Sequence, residues 1–250
     1  MKLLKKQIQL IWFHIKANGK VWDVGVKELS LEEIFNQLTN EISVDDYAWS
    51  EQTGIEFKGN NLANYLERYL FMCPSCEGLS TMHSHGNEFE CKECSYKVRY
   101  NTKGTFEQVS GDLKFEFIYE WNEWQQEMLK NWIKTQEGLA KVSEKMTELT
   151  KISRWKKGEK IEKLGKFEFS TDGLNLQFAP NAGNKKVPFQ IPIDDVESVN
   201  VFQAFVLNFF YEDYHYHVKI INKRRSAFLW MSFIITLQKF VDADRENEIF

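Results

Sequence analysis

The four cysteines of this chain stand in two tight pairs, Cys73-Pro74-Ser75-Cys76 and Cys91-Lys92-Glu93-Cys94, with fourteen residues between them. A Cys-x-x-Cys turn folds into a knuckle that aims two sulfurs at one point, and two knuckles complete the tetrahedron that Zn²⁺ prefers. The spacing predicts a four-thiolate zinc ribbon over residues 72–106, with Cys73, Cys76, Cys91 and Cys94 as ligands. A pair of disulfides would need an oxidising compartment, and no segment reads as a signal for one. A thioredoxin-like redox centre uses one Cys-x-x-Cys, not two framing a short hairpin. His83 and His85 lie in the insert, where either could replace a thiolate. Four sulfurs already fill the shell, so both are expected at the exposed end of the hairpin. Such a closed site leaves no position for a reactive water, which makes the metal structural.

The remaining composition is that of a globular protein, 43% hydrophobic and 27% charged, with 20 Phe, 9 Tyr and 8 Trp to pack cores. A net charge of −4 gives no global attraction to nucleic acid or to an anionic membrane. The basic start, Met1 to Lys6, precedes a short, interrupted apolar run without a small-residue cleavage site. The uncharged runs Ser198 to Tyr211 and Ser226 to Gln238 are too short and polar to span a bilayer. A cytoplasmic protein is expected.

Along the chain, residues 7–15 read as a strand and Lys20 to Val26 as a second short one. Ser30 and Glu33 form a capping box at the start of a helix whose apolar face is Leu31, Ile34, Phe35, Leu38 and Ile42. Asp45 to Trp49 form a turn or short helix, and Asn61 to Phe71 a second helix that runs into the first knuckle. Within the ribbon, Phe89 to Cys91 and Tyr96 to Tyr100 are the expected strands. A long helix is expected from Trp121 to Lys151, weakened at Gly138. Strands follow at 166–170, 174–178, 187–191, 198–210 and 214–220, with turns at Asp172-Gly173 and 180–183. From Ser226 helical spacing returns. Strands closed by one C-terminal helix predict a small barrel like the pleckstrin-homology superfold.

Catalytic patterns are not found. His14, His83, His85, His215 and His217 lack the partners that nucleophilic chemistry needs, and no Gly-rich loop introduces a helix in phosphate-binding form. His215 and His217 alternate along a strand, so both rings face one side. A metal pair is conceivable there, but with no acidic third ligand in view a surface or edge-strand position is expected. Asp45-Asp46 and Asp194-Asp195 read as turn or cap residues. Basic residues gather twice: Lys151, Arg154, Lys156, Lys157, Lys160 and Lys163 form a solvated linker, and Lys219, Lys223, Arg224 and Arg225 follow a strand. The second group is the candidate for contact with anionic lipid headgroups or phosphates. Residues 73–110 hold four basic and five acidic residues, which argues against a nucleic-acid-binding ribbon.

Several stretches resemble one family. They are Asn64-Tyr65-Leu66-Glu67-Arg68-Tyr69-Leu70-Phe71-Met72-Cys73-Pro74-Ser75-Cys76, then residues 79–87, Cys91-Lys92-Glu93-Cys94, Lys97 to Tyr100, and Tyr119 to Gln125. Upstream, residues 29–34 and Asp45-Asp46-Tyr47 add to the likeness. Together they resemble the region after the catalytic domain in bacterial PlsC-like 1-acyl-sn-glycerol-3-phosphate acyltransferases that carry a zinc ribbon. The family transfers an acyl group with a His-x₄-Asp motif and binds phosphate with Glu-Gly-Thr-Arg. Here the residues five beyond the histidines are Gly19, Glu88, Glu90, Ile220 and Asn222, and the nearest phosphate text is Glu77-Gly78-Leu79-Ser80. No catalytic residue is carried over.

The expectation is therefore an α+β chain in four parts. Residues 1–71 are the tail of, or sequel to, a catalytic domain. The zinc ribbon spans 72–106, a long helix and basic linker 107–164, and a β-rich, pleckstrin-homology-like domain 165–250. The resemblance implies a non-catalytic accessory module of phospholipid biosynthesis, inactive alone and peripheral on the inner face of the membrane. Its implied partners are a separate acyltransferase domain and an anionic membrane surface. The alternative is a zinc-ribbon protein that binds nucleic acid or another protein.

Overall fold

The computed structural model describes residues 15–17, 20–22, 30–42, 46–135, 142–153 and 160–247. The chain divides into two units, 1–55 and 56–250. In the first, β1 (Ile15–Ala17) pairs antiparallel with β2 (Lys20–Trp22), and two helices follow, α1 (Leu31–Ile42) and α2 (Asp46–Thr53). The capping box forms at α1. The Glu33 carboxylate accepts the Ser30 N–H at 2.7 Å, and Ser30 Oγ accepts the Glu33 N–H at 3.2 Å. Those backbone and hydroxyl hydrogen bonds hold the Glu33 carboxyl below its ordinary range. Most of the strand expected at 7–15 lies outside the described residues.

The second unit begins with a correction. Residues 61–71 are not a helix but a series of turns with one 3₁₀ turn at Leu66–Arg68. Asn61 and Tyr65 sit in the left-handed region, at φ 61° and 68°, which a right-handed helix does not admit. Three N–H groups in the first half of the segment are used elsewhere: Leu62 donates to Asn87 Oδ1, Ala63 to the Gly86 carbonyl and Tyr65 to Ser84 Oγ. Four antiparallel strands follow in meander order, β3 (Met82–His85), β4 (Glu88–Cys91), β5 (Lys97–Tyr100) and β6 (Phe106–Ser110). Gly86, at φ +63°, takes the first position of the two-residue turn between β3 and β4.

Helix α3 (Ile118–Thr135) ends sixteen residues before the expected Lys151, and residues 143–153 form strand β7 instead. Val142, Met146 and Leu149 fit a helical stripe, but Thr147, Thr150 and Ile152 are β-branched and favour a pleated surface. Six further strands follow: β8 (Ile161–Thr171), β9 (Asn175–Pro180), β10 (Phe189–Pro192), β11 (Glu197–Phe202), β12 (Val206–Tyr211) and β13 (Tyr214–Ile220). With β7 they make one antiparallel sheet in the order β10-β9-β8-β7-β13-β12-β11. The run expected as one strand, 198–210, is two. Gln203 and Ala204, both at positive φ, turn the chain back between β11 and β12. Bulges in the β7–β8 pairing bend these long strands, and the sheet curls into a half-barrel. Helix α4 (Ala227–Asn247) packs on β11 and β12. Ser226 caps it, accepting the Leu229 N–H at 2.8 Å.

Two cores form, and α3 serves both. Its residues at four-residue steps, Trp121, Gln125, Leu129 and Ile133, are all buried. Trp121 enters the core of the four-stranded module with Leu70, Met82, Phe89, Val98 and Phe106. Leu129 and Ile133 enter the larger core between the curled sheet and α4, with Phe167, Phe169, Phe209, Val218, Trp230 and Phe233.

Candidate metal centre

The chain folds back on itself so that the two Cys-x-x-Cys turns face each other. The first knuckle leaves the 66–68 turn, and the second joins β4 to β5. Each knuckle closes in the same way. The Ser75 N–H points at Cys73 Sγ and the Glu93 N–H at Cys91 Sγ, both at 3.4 Å. Each is followed by a residue in the left-handed region, Glu77 at φ 58° and Ser95 at φ 62°. The chain also bonds back across the first knuckle, Glu77 N–H to the Cys73 carbonyl and Cys73 N–H to the Gly78 carbonyl. A Cβ at Gly78 would lie 2.8 Å from Thr81 Cγ2, so the turn needs glycine there.

All four Sγ atoms lie within 4.8 Å of one another. Cys73 Sγ and Cys94 Sγ are 3.6 Å apart and Cys76 Sγ and Cys91 Sγ 3.7 Å apart, each pair bridging the two knuckles. The four thiols lie close enough to hold one metal ion, and among the described residues they are the only such group of three or more His, Cys, Asp or Glu. Cys73 and Cys91 are buried, whereas Cys76 and Cys94 face solvent. Burial pushes the Cys73 and Cys76 thiols up. Burial works the same way on Cys91. There the Thr81 hydroxyl and the Cys94 and Glu93 N–H groups outweigh it and bring the thiol down to about 7. His83 is half-buried on β3 and His85 is exposed beside the β3–β4 turn; neither belongs to the group.

Helix α3 positions the first knuckle through two side chains. Trp121 Nε1 donates to the Met72 carbonyl at 2.9 Å. The Gln125 amide accepts the Phe71 N–H at 2.9 Å and donates to the Tyr69 carbonyl at 2.6 Å. Phe89, Tyr96, Phe106 and Phe115 surround the Trp121 indole at centroid distances of 5.3–6.1 Å. The sequence places both residues in the expected long helix but gives no sign of these roles, because their partners lie about 50 positions away.

The basic group after β13 is distributed differently from one exposed cluster. Lys219 pairs with Glu148 at 3.0 Å on the sheet surface. The Lys223 carbonyl accepts a hydrogen bond from Arg68 Nε at 2.8 Å. Arg224 reaches the four-stranded module, 2.6 Å from buried Glu67 Oε1 and 2.9 Å from the Ser84 carbonyl. Arg225 pairs at 2.9 Å with Glu144, a buried carboxylate on β7. Burial pushes the Glu144 carboxyl up despite that guanidinium. Two consecutive arginines therefore clamp two buried acids, and Ser226 Oγ adds a bond to the Arg68 carbonyl at 2.6 Å.

Asp46 opens α2, and Asp194 and Asp195 lie in a 3₁₀ turn between β10 and β11, while Asp45 falls outside the described residues. Of the linker group, Arg154, Lys156 and Lys157 lie outside the described residues, whereas Lys151, Lys160 and Lys163 lie on or beside β7 and β8. His215 and His217 share a face, as alternation requires, but β13 is an interior strand between β7 and β12 rather than an edge. Among the described residues no helix is long and apolar enough to cross a membrane. Comparison of the sequence with protein-family models and with curated proteins finds no match.

Proposed function

We propose that this chain is a zinc-stapled, non-catalytic accessory module of PlsC-like acyltransferase type. The observation that carries the zinc reading is the spacing of the sulfurs. Four thiolates at about 2.3 Å from Zn²⁺ stand about 3.8 Å apart in a tetrahedron. The separations of 3.6 and 3.7 Å across the knuckles are close to that. Paired knuckles with N–H groups aimed at sulfur support a thiolate set, since those dipoles favour the charged ligand. Four-thiolate coordination leaves no open position, so the ion would staple the fold and supply no chemistry of its own.

The acyltransferase reading rests on the likeness of residues 28–130 to the family's post-catalytic region. The sheet's strand order and its single C-terminal helix support a pleckstrin-homology-like reading of that part. Membrane contact by the basic group belongs to the same proposal, but Arg224 and Arg225 would have to leave Glu67 and Glu144 to take part. The nucleic-acid alternative gains nothing from the four-stranded module, where Lys92, Lys97 and Arg99 each pair with Glu88 or Glu90.

Acyl transfer to lysophosphatidate, assayed with the purified chain alone and with a separately expressed PlsC-like catalytic domain, tests the reading. We expect no turnover alone and raised turnover of the catalytic domain in the mixture. Turnover by the isolated chain that disappears on substituting His14, His215 or His217 would overturn it.

A further inference from the structure

Strand β13 carries a histidine pair on the face of the sheet turned away from the large core. Tyr216 points into the core from β13 and is buried, so its neighbours His215 and His217 project from the opposite face of the sheet. Both are half-buried. His215 Nδ1 and His217 Nε2 approach to 3.1 Å. Two imidazole nitrogens bound to one ion at about 2.1 Å stand about 3.0 Å apart when cis on an octahedron and about 3.4 Å apart on a tetrahedron. One ring donates to the other across that gap, and the separation is that of a chelate once a metal displaces the shared proton.

The surroundings fix that geometry. Phe210, the cross-strand partner of His215 on β12, stacks on its ring at a centroid distance of 4.4 Å and 18°. Asn208 is the cross-strand partner of His217. Its Nδ2 donates to Asn200 Oδ1 at 3.1 Å, which sets the amide's orientation. The other branch, Asn208 Oδ1, is buried with no hydrogen-bond partner, and the residue is only 7% exposed. A buried acceptor without a donor is unfavourable unless a ligand or water meets it. Thr150 flanks His217 on β7.

We propose that His215 and His217 form a two-imidazole site for a late first-row divalent cation such as Ni²⁺ or Cu²⁺, with Asn208 Oδ1 as an adjacent oxygen ligand. Two nitrogens and an amide oxygen suit borderline ions and give Mg²⁺ or Ca²⁺, which take sets of six or more oxygens, only one such ligand.

The test uses the full chain with its cysteine site loaded with zinc, and Ni²⁺ as the probe. Calorimetric titration should show one further Ni²⁺ per chain. His217→Gln keeps a polar side chain but removes the imidazole, and should weaken binding by at least about tenfold. His85→Gln should leave it unchanged. In the unsubstituted, ¹⁵N-labelled chain, substoichiometric Ni²⁺ should broaden amides of β12 and β13 before those of residues 73–110. No Ni²⁺ beyond the cysteine site, unchanged affinity in His217→Gln, or broadening confined to residues 73–110 would overturn the assignment. Mg²⁺ binding with equal affinity would do the same.

Discussion

The four-stranded cysteine module and the seven-stranded sheet are held together by different forces. Among the described residues the sheet and its helices bury a cluster of 24 hydrophobic residues, the module one of 11. Two of those 11 are Cys73 and Cys91, so part of the module's core is the candidate metal site itself. Assemblies of about 40 residues or fewer rarely fold on apolar burial alone and use metals or cross-links instead. The sheet needs no such staple: Phe167, Phe169, Phe178, Phe209, Trp230 and Phe233 are each at most 1% exposed. The difference shows where stability should be sensitive to metal and where to packing.

The largest expected effect follows directly. Zinc held by the four thiolates would contribute binding free energy on the order of 10 kcal/mol to the module, and a chelator would remove it. Amide exchange should become fast over residues 82–110 while β7, β8, β12 and β13 stay protected. Uniform loss of protection would merge the two regions and break the comparison. Acid acts in the same direction, because protons compete for the thiolates. Metal should be held at neutral pH and released as pH falls, and a fluorescent zinc indicator would read the release.

Next in size is Trp121→Ala. It empties a fully buried site and removes the bond to the Met72 carbonyl, for a loss of about 3–5 kcal/mol. Zinc affinity should fall with stability, because the indole holds the first knuckle. Denaturant melts followed by metal retention would check this, and unchanged affinity would mean that the knuckle closes without α3.

Arg224→Ala probes the join between the regions. It strands the Glu67 carboxylate in a buried position and should lower stability by about 2–3 kcal/mol, less than for a fully buried pair because Arg224 is part-exposed. Adding Glu67→Gln should restore part of that loss. Additive losses in the double-mutant cycle would show that the two side chains are not coupled.

Much of this was legible in the sequence, for reasons that were local. Each Cys-x-x-Cys pair, the Ser30–Glu33 cap and strand 214–220 depend on residues within a few positions, and the two cysteine pairs come together as their shared spacing predicts. Non-local partners were not legible. Asn61 to Phe71 carries helical spacing, yet the β3–β4 hairpin captures its N–H groups. The stripe through Val142, Met146 and Leu149 fits a helix and a strand, and pairing with β8 and β13 decides for the strand. The Arg224–Glu67 pair spans 157 positions and left no trace in the local pattern.

The smallest effect sharpens the description of the module alone. Glu77 holds a left-handed backbone at φ 58°, which a side chain disfavours by about 1 kcal/mol and glycine does not. Glu77→Gly should stabilise the module by up to about that amount, read as a higher chelator midpoint with the sheet's melt unchanged. A lower midpoint would show that the Glu77 side chain supports the knuckle.

The central claim is that four thiolates close one zinc site in this chain. X-ray absorption at the zinc edge of the purified protein tests it most directly. The account predicts one zinc per chain with four sulfur neighbours at about 2.3 Å and no lighter ligand. A nitrogen or oxygen in the shell, or a metal-free chain whose residues 82–110 stay protected from exchange, would contradict it.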